Sequence, residues 1–127
     1  MNHHHFLSVA EDLELAGLLW RPEIGDEVTD KRQKDLISIF VDSQGLSLEE
    51  LRSSFLWLPT VEQIVHQFEA RQAILFHAGF ELSEKSMCYK TVIQAPVGHI
   101  EKKADSLRLS LGLALRDLLL SDNKVVN

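Results

Sequence analysis

One cysteine and three histidines are the residues best suited to nucleophilic chemistry. Cys88 lies in an apolar segment, and His66, His77 and His99 are spread over the second half of the chain. A cysteine reacts as its thiolate and needs a nearby base or cation to form it. A cysteine among apolar neighbours is more commonly an inert buried thiol. The sequence therefore leaves open a small-ligand binder or enzyme that uses Cys88 and a histidine in a pocket between a sheet and a helix.

Four carboxylates between residues 23 and 30 could bind a hard cation. Glu23, Asp26, Glu27 and Asp30 lie in one acidic, turn-rich stretch. Carboxylate oxygens are the ligands that Ca²⁺ and Mg²⁺ prefer, but this spacing matches no EF-hand loop. Because carboxylates are mostly exposed to solvent in any case, we predict a solvated acidic loop and no metal site.

The chain lacks the motifs of several enzyme classes. It contains no GxGxxG or GxxxxGK(S/T) phosphate loop, no GxSxG nucleophile elbow, no HExxH and no CxxC. These absences favour a protein that is not an enzyme, and no cofactor is predicted.

Two tryptophans and an arginine are candidates for a docking surface. Trp20, Arg21 and Trp57 belong to the residue types that are enriched in interface hot spots. Trp57 stands in the stretch SFLWLPTVEQIV, residues 54–65, where its ring could instead pack in the core against the following helix. We favour core packing for Trp57 and keep the docking surface as the alternative.

The last predicted helix carries more leucine than one face of a sheet needs. An apolar stripe runs from Leu107 to Leu118 at helical spacing. Leu109, Leu115 and Leu119 fall partly off this stripe. We predict that these three side chains contribute to a surface that binds a protein partner or a second copy of the chain.

The net charge of −6 is confined to the first half of the 127-residue chain. Residues 1–60 carry 5 Lys/Arg and 11 Asp/Glu, whereas residues 61–127 carry 8 of each. Neither half has the excess of cations that phosphate neutralisation requires. No nucleic-acid partner is predicted, although the order of elements in residues 60–120 is similar to that of a double-stranded-RNA-binding domain.

Hydropathy and cysteine usage predict the compartment. No segment reaches the roughly 18 apolar residues that a membrane span needs. The longest candidate, residues 107–120, is interrupted by Arg108, Arg116 and Asp117. A lone cysteine cannot form an internal disulfide, and the chain shows no secretory leader. We therefore expect a cytoplasmic protein without membrane contact.

Helix starts are marked by capping boxes, in which a Ser or Thr and a Glu or Gln three residues later cap each other's backbone. Such boxes begin at Ser8, Ser47 and Thr60. A final helix is predicted from Asp105 or Ser106. The first helix is expected to end at Arg21, because the residue before a proline is disfavoured in the helical conformation.

Strand signals come from β-branched and aromatic residues. They predict strands at residues 36–41, 80–83, 88–94 and 99–103, the last at a sheet edge. Residues 73–77 could extend the third helix as far as Gly79 or could already form a strand.

This order of elements predicts an α+β fold: an antiparallel sheet of three to four strands with helices packed on it, in the order α-β-α-α-β-β-(β)-α. We predict one domain over residues 1–127, with residues 1–7 and 121–127 frayed. The frayed start includes the run His3-His4-His5, which is either native or a tag remnant.

Three segments carry a resemblance to a protein family. The stretch GLSLEELR at residues 45–52 is followed by WLPTVEQ at residues 57–63, and WRPEIGDEV stands upstream at residues 20–28. These elements resemble those of small bacterial and prophage-encoded proteins of unknown function. The resemblance implies β-hairpins and an amphipathic last helix after the second element. The sequence Asp105-Ser106-Leu107-Arg108 departs from the Pro-Glu-Glu helix start that the family would imply.

The sequence thus favours a small cytoplasmic protein-interaction module without enzymatic activity. Its partner would be another protein or a second copy of the chain. The alternative is the small-ligand binder or enzyme built on Cys88 and a histidine.

Overall fold

The computed structural model describes the backbone of residues 3–85 and 87–125 and the side chains of residues 6–85 and 87–122. The chain forms two compact units, Met1–Pro59 and Thr60–Asn127. We name them unit 1 and unit 2 and describe each by itself. The single domain over residues 1–127 stays a prediction.

Over its described residues, unit 1 combines two helices with a three-stranded antiparallel sheet. Its elements are α1 (His3–Leu15), β1 (Glu27–Asp30), β2 (Gln33–Ile39), α2 (Leu48–Ser54) and β3 (Phe55–Trp57). The strand order is β2-β1-β3, so β1 is central. Val28 of β1 pairs with Ser38 on one side and with Trp57 on the other.

Helix α1 begins earlier than the capping box at Ser8 predicts. It starts at His3, so Ser8 lies inside the helix, where it is exposed. Phe6 and Leu7 are buried, and this burial favours helical structure ahead of the cap signal. The predicted helix start is therefore wrong, and tertiary packing is the reason. Residues 3–7 and 121–125, where the sequence predicts fraying, are helical, while residues 1, 2, 126 and 127 lie outside the described residues.

The end of α1 is a Schellman motif. The N–H of Leu18 donates to the carbonyl of Leu13 over 2.9 Å, and the N–H of Gly17 donates to that of Glu14 over 3.1 Å. Gly17 has φ 104°, a left-handed conformation that glycine adopts without steric cost. The helix therefore ends before Trp20, earlier than the predicted stop at Arg21.

Unit 2 contains, over its described residues, a second three-stranded antiparallel sheet and two helices. Its elements are α3 (Val61–Ala70), β4 (Ile74–Leu82), β5 (Met87–Ala95), β6 (Gly98–Ala104) and α4 (Leu107–Val125). The strand order is β4-β5-β6. Helix α4 packs against β5, β6 and α3. A buried hydrogen bond of 2.8 Å joins Thr91 Oγ1 of β5 to Ser110 Oγ of α4.

The capping boxes predicted at Ser47 and Thr60 are confirmed. The Thr60 hydroxyl accepts from the N–H of Gln63 over 3.2 Å, and the N–H of Thr60 donates to the Gln63 side chain over 2.9 Å. At Ser47 the same exchange is made with Glu50, and the hydrogen bonds from Ser47 hold the pKa of the Glu50 carboxyl below its usual value. The predicted cap at Ser106 is also present, since its hydroxyl accepts from the N–H of Leu109 over 3.1 Å.

Helix α3 ends in a second Schellman motif. The N–H of Ala73 donates to the carbonyl of Phe68 over 2.9 Å, and the N–H of Gln72 donates to that of Glu69 over 3.1 Å. Gln72 occupies the left-handed position with φ 59°. This turn ends the helix and leads directly into β4, which begins at Ile74. The open question about residues 73–77 is thereby resolved: residues 74–77 belong to β4, and Ala73 belongs to the turn before it.

The predicted α+β class, with antiparallel strands and four helices, is confirmed for residues 3–85 and 87–125. Strand β1 lies in the stretch that the sequence predicts as an acidic loop, and strand β3 lies between the predicted second and third helices. With them, the strands form two sheets of three instead of one sheet of three to four.

None of the helices in the described part of the chain combines the length and apolar character needed to cross a membrane.

Candidate interaction surface

Trp20 lies in the core of unit 1. Its ring is 4% exposed and makes edge-on contacts with Phe40 and Phe55, at centroid distances of 5.4 Å and 6.5 Å. Its indole Nε1 donates to the buried carboxylate of Asp26 over 2.8 Å. Arg52 Nε donates to the carbonyl of Trp20 over 2.7 Å. In this structure Trp20 is therefore a core residue and offers no surface to a partner.

Arg21 and Trp57, the other two candidates in unit 1, differ from each other. Arg21 is exposed. Trp57 is half-buried and packs against the cluster of Trp20, Val28 and Leu51, while the predicted packing against the following helix stays a prediction. Its Nε1 is buried and has no hydrogen-bond partner among the described residues. The three candidates therefore do not form one exposed docking surface.

The leucines of α4 are mostly buried as well. Leu115 and Leu119 are buried, and Leu109 is half-buried. Helix α4 carries more leucines than one sheet face needs because it packs against α3 in addition to the strands. The predicted partner surface of Leu109, Leu115 and Leu119 is thus not exposed as a whole in the single chain.

The strand register separates Cys88 from the histidines of the sheet. Cys88 pairs with Glu81, whereas His77 pairs with Val92, four residues further along β5. At a rise of about 3.3 Å per residue these positions are about 13 Å apart. A thiol and its base must lie within hydrogen-bond reach, about 3 Å. His99 is still further away, opposite Gln94, and His66 lies on α3 outside the sheet.

The acidic stretch of residues 23–30 is not the solvated loop that the sequence predicts, because Asp26 is buried and Glu27–Asp30 form β1. The Asp26 carboxylate accepts hydrogen bonds from the Trp20 indole and from the N–H of Glu23, over 2.8 Å and 3.0 Å. Glu27 and Asp30 are the ends of β1. Within residues 6–85 and 87–122, no group of three or more His, Cys, Asp and Glu side chains is placed to hold a metal ion.

A small cleft lies beside β2 in unit 1. It has a volume of about 190 Å³ and is lined by apolar side chains such as Phe40, Leu51 and Phe55 and by polar ones such as Ser38 and Asp42. Sites for small molecules commonly measure about 300–1,000 Å³. The cleft is therefore too small for an ordinary ligand site.

The face of the unit 2 sheet that carries Lys90 is covered by an ion-pair network. Lys90 Nζ lies 3.3 Å from Glu81 and 3.6 Å from Glu101, and Lys103 Nζ lies 3.6 Å from Glu81. The hydrogen bond from Lys90 holds the pKa of the Glu81 carboxyl below its usual value, and the same bond raises the pKa of Lys90. The single carboxylate of β4 is therefore compensated within its own sheet.

Strand β4 presents a row of exposed apolar side chains. Four of its nine residues are both apolar and more than half exposed: Ile74 at 59%, Phe76 at 64%, Phe80 at 54% and Leu82 at 69%. Met87, which pairs with Leu82, extends the row onto β5. We name the strand Ile74–Leu82 with these four side chains the β4 edge. It has β5 on one side and, among the described residues, no strand on the other.

The register places most of this row on one face of the sheet. Phe80 pairs with Tyr89, and their rings are in contact at 5.3 Å. Ala78 pairs with Thr91, whose hydroxyl meets α4, so Ala78 and Phe80 lie on the helix-bearing face. The bulge between Leu75 and His77 leaves Phe76 without a register partner, and alternation back from Ala78 assigns Phe76 to the same face.

The other edge strands carry features that discourage further pairing. β6 contains Lys102 and Lys103, β2 contains Lys34 and Asp35, and β3 has only three residues. Lysines, charges and short length are the usual protections of a sheet edge. Among the four edges of the two described sheets, β4 alone is long, apolar and free of lysine. This contrast, which depends on strand order, is the signal that sequence reasoning missed.

Comparisons with protein-family models, with curated proteins and with solved structures found no match to this chain.

Proposed function

We propose that the protein is a non-enzymatic interaction module that binds an extended protein segment along the β4 edge. The observation that carries the proposal is the exposure of four apolar side chains on a nine-residue edge strand without lysine. An added strand would satisfy the outward N–H and C=O groups of β4, which supply affinity, while the exposed side chains select the sequence. The partner is another protein or a second copy.

The alternative of an enzyme or small-ligand site built on Cys88 and a histidine receives less support. The register keeps Cys88 and His77 about 13 Å apart, far beyond the reach of a proton transfer. A cytoplasmic location is part of the proposal, because a reducing compartment suits the single free thiol of Cys88. The likeness to small bacterial and prophage-encoded proteins also remains a proposal.

Site-specific photo-crosslinking tests the proposal. A photoreactive amino acid replaces Phe76 in the full chain, expressed in the cells of origin, and a matched sample carries it at Leu15, which is 85% exposed on α1. We expect a discrete adduct at position 76 that is absent at position 15. Adding Leu82→Glu, on the same edge, should abolish the adduct, whereas adding Leu36→Glu on β2 should leave it.

Mass spectrometry identifies the adduct as a second copy or as another protein, and either is compatible with the proposal. Adducts of equal yield at positions 76 and 15 would overturn it. An adduct that persists in Leu82→Glu but is lost in Leu36→Glu would also overturn it, because the contact would then lie on β2.

A further inference from the structure

We infer that the segment bound at the β4 edge is β4 of a second copy of this chain, paired antiparallel about a two-fold axis through Gly79. The inference rests on the proposed function and names its partner. The unit 2 sheets of the two copies would then join into one six-stranded sheet, in the order β6-β5-β4-β4-β5-β6. A two-fold interface of this kind needs a surface that is complementary to itself.

The distribution of charge permits two copies to approach at this edge. Unit 2 carries 8 Lys/Arg and 8 Asp/Glu, so its net charge is zero, whereas unit 1 carries 5 and 11 and has a net charge of −6. Two copies that met through unit 1 would repel each other, but two that met through β4 would not. The one carboxylate on β4, Glu81, is already compensated by Lys90 and Lys103.

Gly79 marks the centre of the pairing. A glycine inside a strand weakens it and commonly indicates a bulge, a sharp bend or the close approach of another backbone. The pairing of β4 with β5 is uninterrupted from His77 to Leu82, so there is no bulge at Gly79. Its φ is not in the left-handed region, and an added Cβ would meet only the His77 ring, at 3.6 Å. Close approach of a second backbone would account for a glycine at this position.

A two-fold axis at Gly79 matches the exposed side chains with one another. Directly opposed residues in an antiparallel pair point to the same face. Phe76 would lie opposite Leu82 of the second copy, and Ala78 opposite Phe80 of the second copy, all on the helix-bearing face. On the other face His77 would lie opposite Glu81 of the second copy, a base opposite an acid. Each of these contacts occurs twice because of the symmetry.

The size of the contact indicates a weak dimer. A large aromatic side chain can bury about 150–250 Å², so a phenylalanine that is 54–64% exposed offers on the order of 100 Å². Pairing of residues 76–82 would bury on the order of 1,000 Å² in total, at the low end for specific interfaces. At this size we expect a weak dimer that forms only at high protein concentration.

Charge-swap variants of the full chain test both the partner and the register, by sedimentation equilibrium at protein concentrations up to the millimolar range. Phe76→Lys and Leu82→Glu should each weaken the dimer at least tenfold, because each places two unpaired charges in the interface. The double variant F76K/L82E should recover about tenfold, since the introduced lysine then faces the introduced glutamate of the second copy at two symmetric places. This recovered affinity should fall with added salt.

Two further variants serve as matched controls. F76K/F80E places the second charge at a position that faces Phe76 only if the axis passes through Ala78, so it should not restore the dimer. Leu36→Lys changes a residue of similar exposure, 56%, on β2 and should leave the affinity unchanged. Circular dichroism and thermal unfolding confirm that each variant is folded, which is expected because Phe76, Leu82 and Leu36 are exposed.

Rescue by F76K/F80E in place of F76K/L82E would overturn the register and hence the inference as stated. A wild-type chain that remains monomeric at all concentrations would overturn the second copy as partner. In that case a crosslinked adduct at position 76 with a different protein would leave the proposed function intact, and the absence of any adduct would remove both.

Discussion

The hydroxyl pair between β5 and α4 should respond asymmetrically to substitution. Thr91 Oγ1 and Ser110 Oγ are 2.8 Å apart, and Ser110 Oγ also lies 3.0 Å from the carbonyl oxygen of Leu107. A serine hydroxyl has one proton to donate. Because the carbonyl can only accept, Ser110 donates to Leu107 and Thr91 donates to Ser110. Both side chains are fully buried, so water cannot replace a lost partner.

The direction of this hydrogen bond determines how much each substitution should lower the free energy of unfolding. Ser110→Ala leaves the Thr91 hydroxyl buried without an acceptor and should lower the free energy of unfolding by about 1–3 kcal/mol. Thr91→Val keeps the shape of the side chain, and Ser110 still donates to Leu107, so the loss should be below about 1 kcal/mol. The double variant leaves no hydroxyl unpaired at this place. It should be more stable than Ser110→Ala, with a coupling free energy of about 1–2 kcal/mol.

Urea unfolding provides the assay. Far-UV circular dichroism follows the helices and strands, while tryptophan fluorescence follows unit 1, because Trp20 and Trp57 are the two tryptophans of the chain. Coincident transitions with the two probes would support the predicted single domain. Equal losses in Thr91→Val and Ser110→Ala, or strict additivity in the double variant, would refute the assigned direction of the hydrogen bond.

Three other changes have defined outcomes. Asp26→Ala should lower the free energy of unfolding by about 1–3 kcal/mol because the buried Trp20 indole loses its acceptor; Asp26→Asn, which retains an acceptor oxygen, should lose less in a urea titration, and an equal loss would contradict this role. Thr60→Ala should cost about 1 kcal/mol by removing the cap of α3, and Thr60→Ser should cost little; a thermal unfolding midpoint unchanged in Thr60→Ala would contradict the cap. The pKa of Glu81 is lowered by its hydrogen bond to Lys90, so its stabilising contribution is complete above the unfolded pKa, about 4.3, and is lost as the pH falls through the lower folded value. The stability difference between the wild type and Glu81→Gln should therefore shrink between about pH 6 and pH 3, and a difference independent of pH would count against the ion pair.

Local signals predicted the elements whose stability is local. The capping boxes at Ser47 and Thr60 and the cap at Ser106 are formed by residues three positions apart, so the sequence displays both partners. Strand β5 contains several β-branched residues, and strand β6 begins at a turn glycine. Both strands lie where the sequence predicts them. Helix α1 is the exception, because burial of Phe6 favours a helix that begins before the predicted capping box at Ser8.

Distant pairing explains what the sequence did not reveal. β1 and β3 are four and three residues long, and they are held by each other across about 25 intervening residues of chain, so neither has a periodic pattern of its own. The exposed apolar row on β4 was missed for a related reason. Phe76 and Phe80 look like ordinary strand residues, and only the strand order shows that β4 lies at an edge.

The two Schellman motifs have an evolutionary consequence. Gly17 and Gln72 hold the same left-handed position after α1 and α3, but only glycine does so without a steric cost, which is on the order of 1 kcal/mol for other residues. Gln72→Gly should therefore stabilise the protein by removing this steric cost, two residues before β4 begins. Natural proteins retain such positions, at which stability is not optimal, because selection acts only up to a threshold of stability. The stability gained at position 72 would offset destabilising substitutions along β4, so the sequence of this exposed strand can change without loss of the fold.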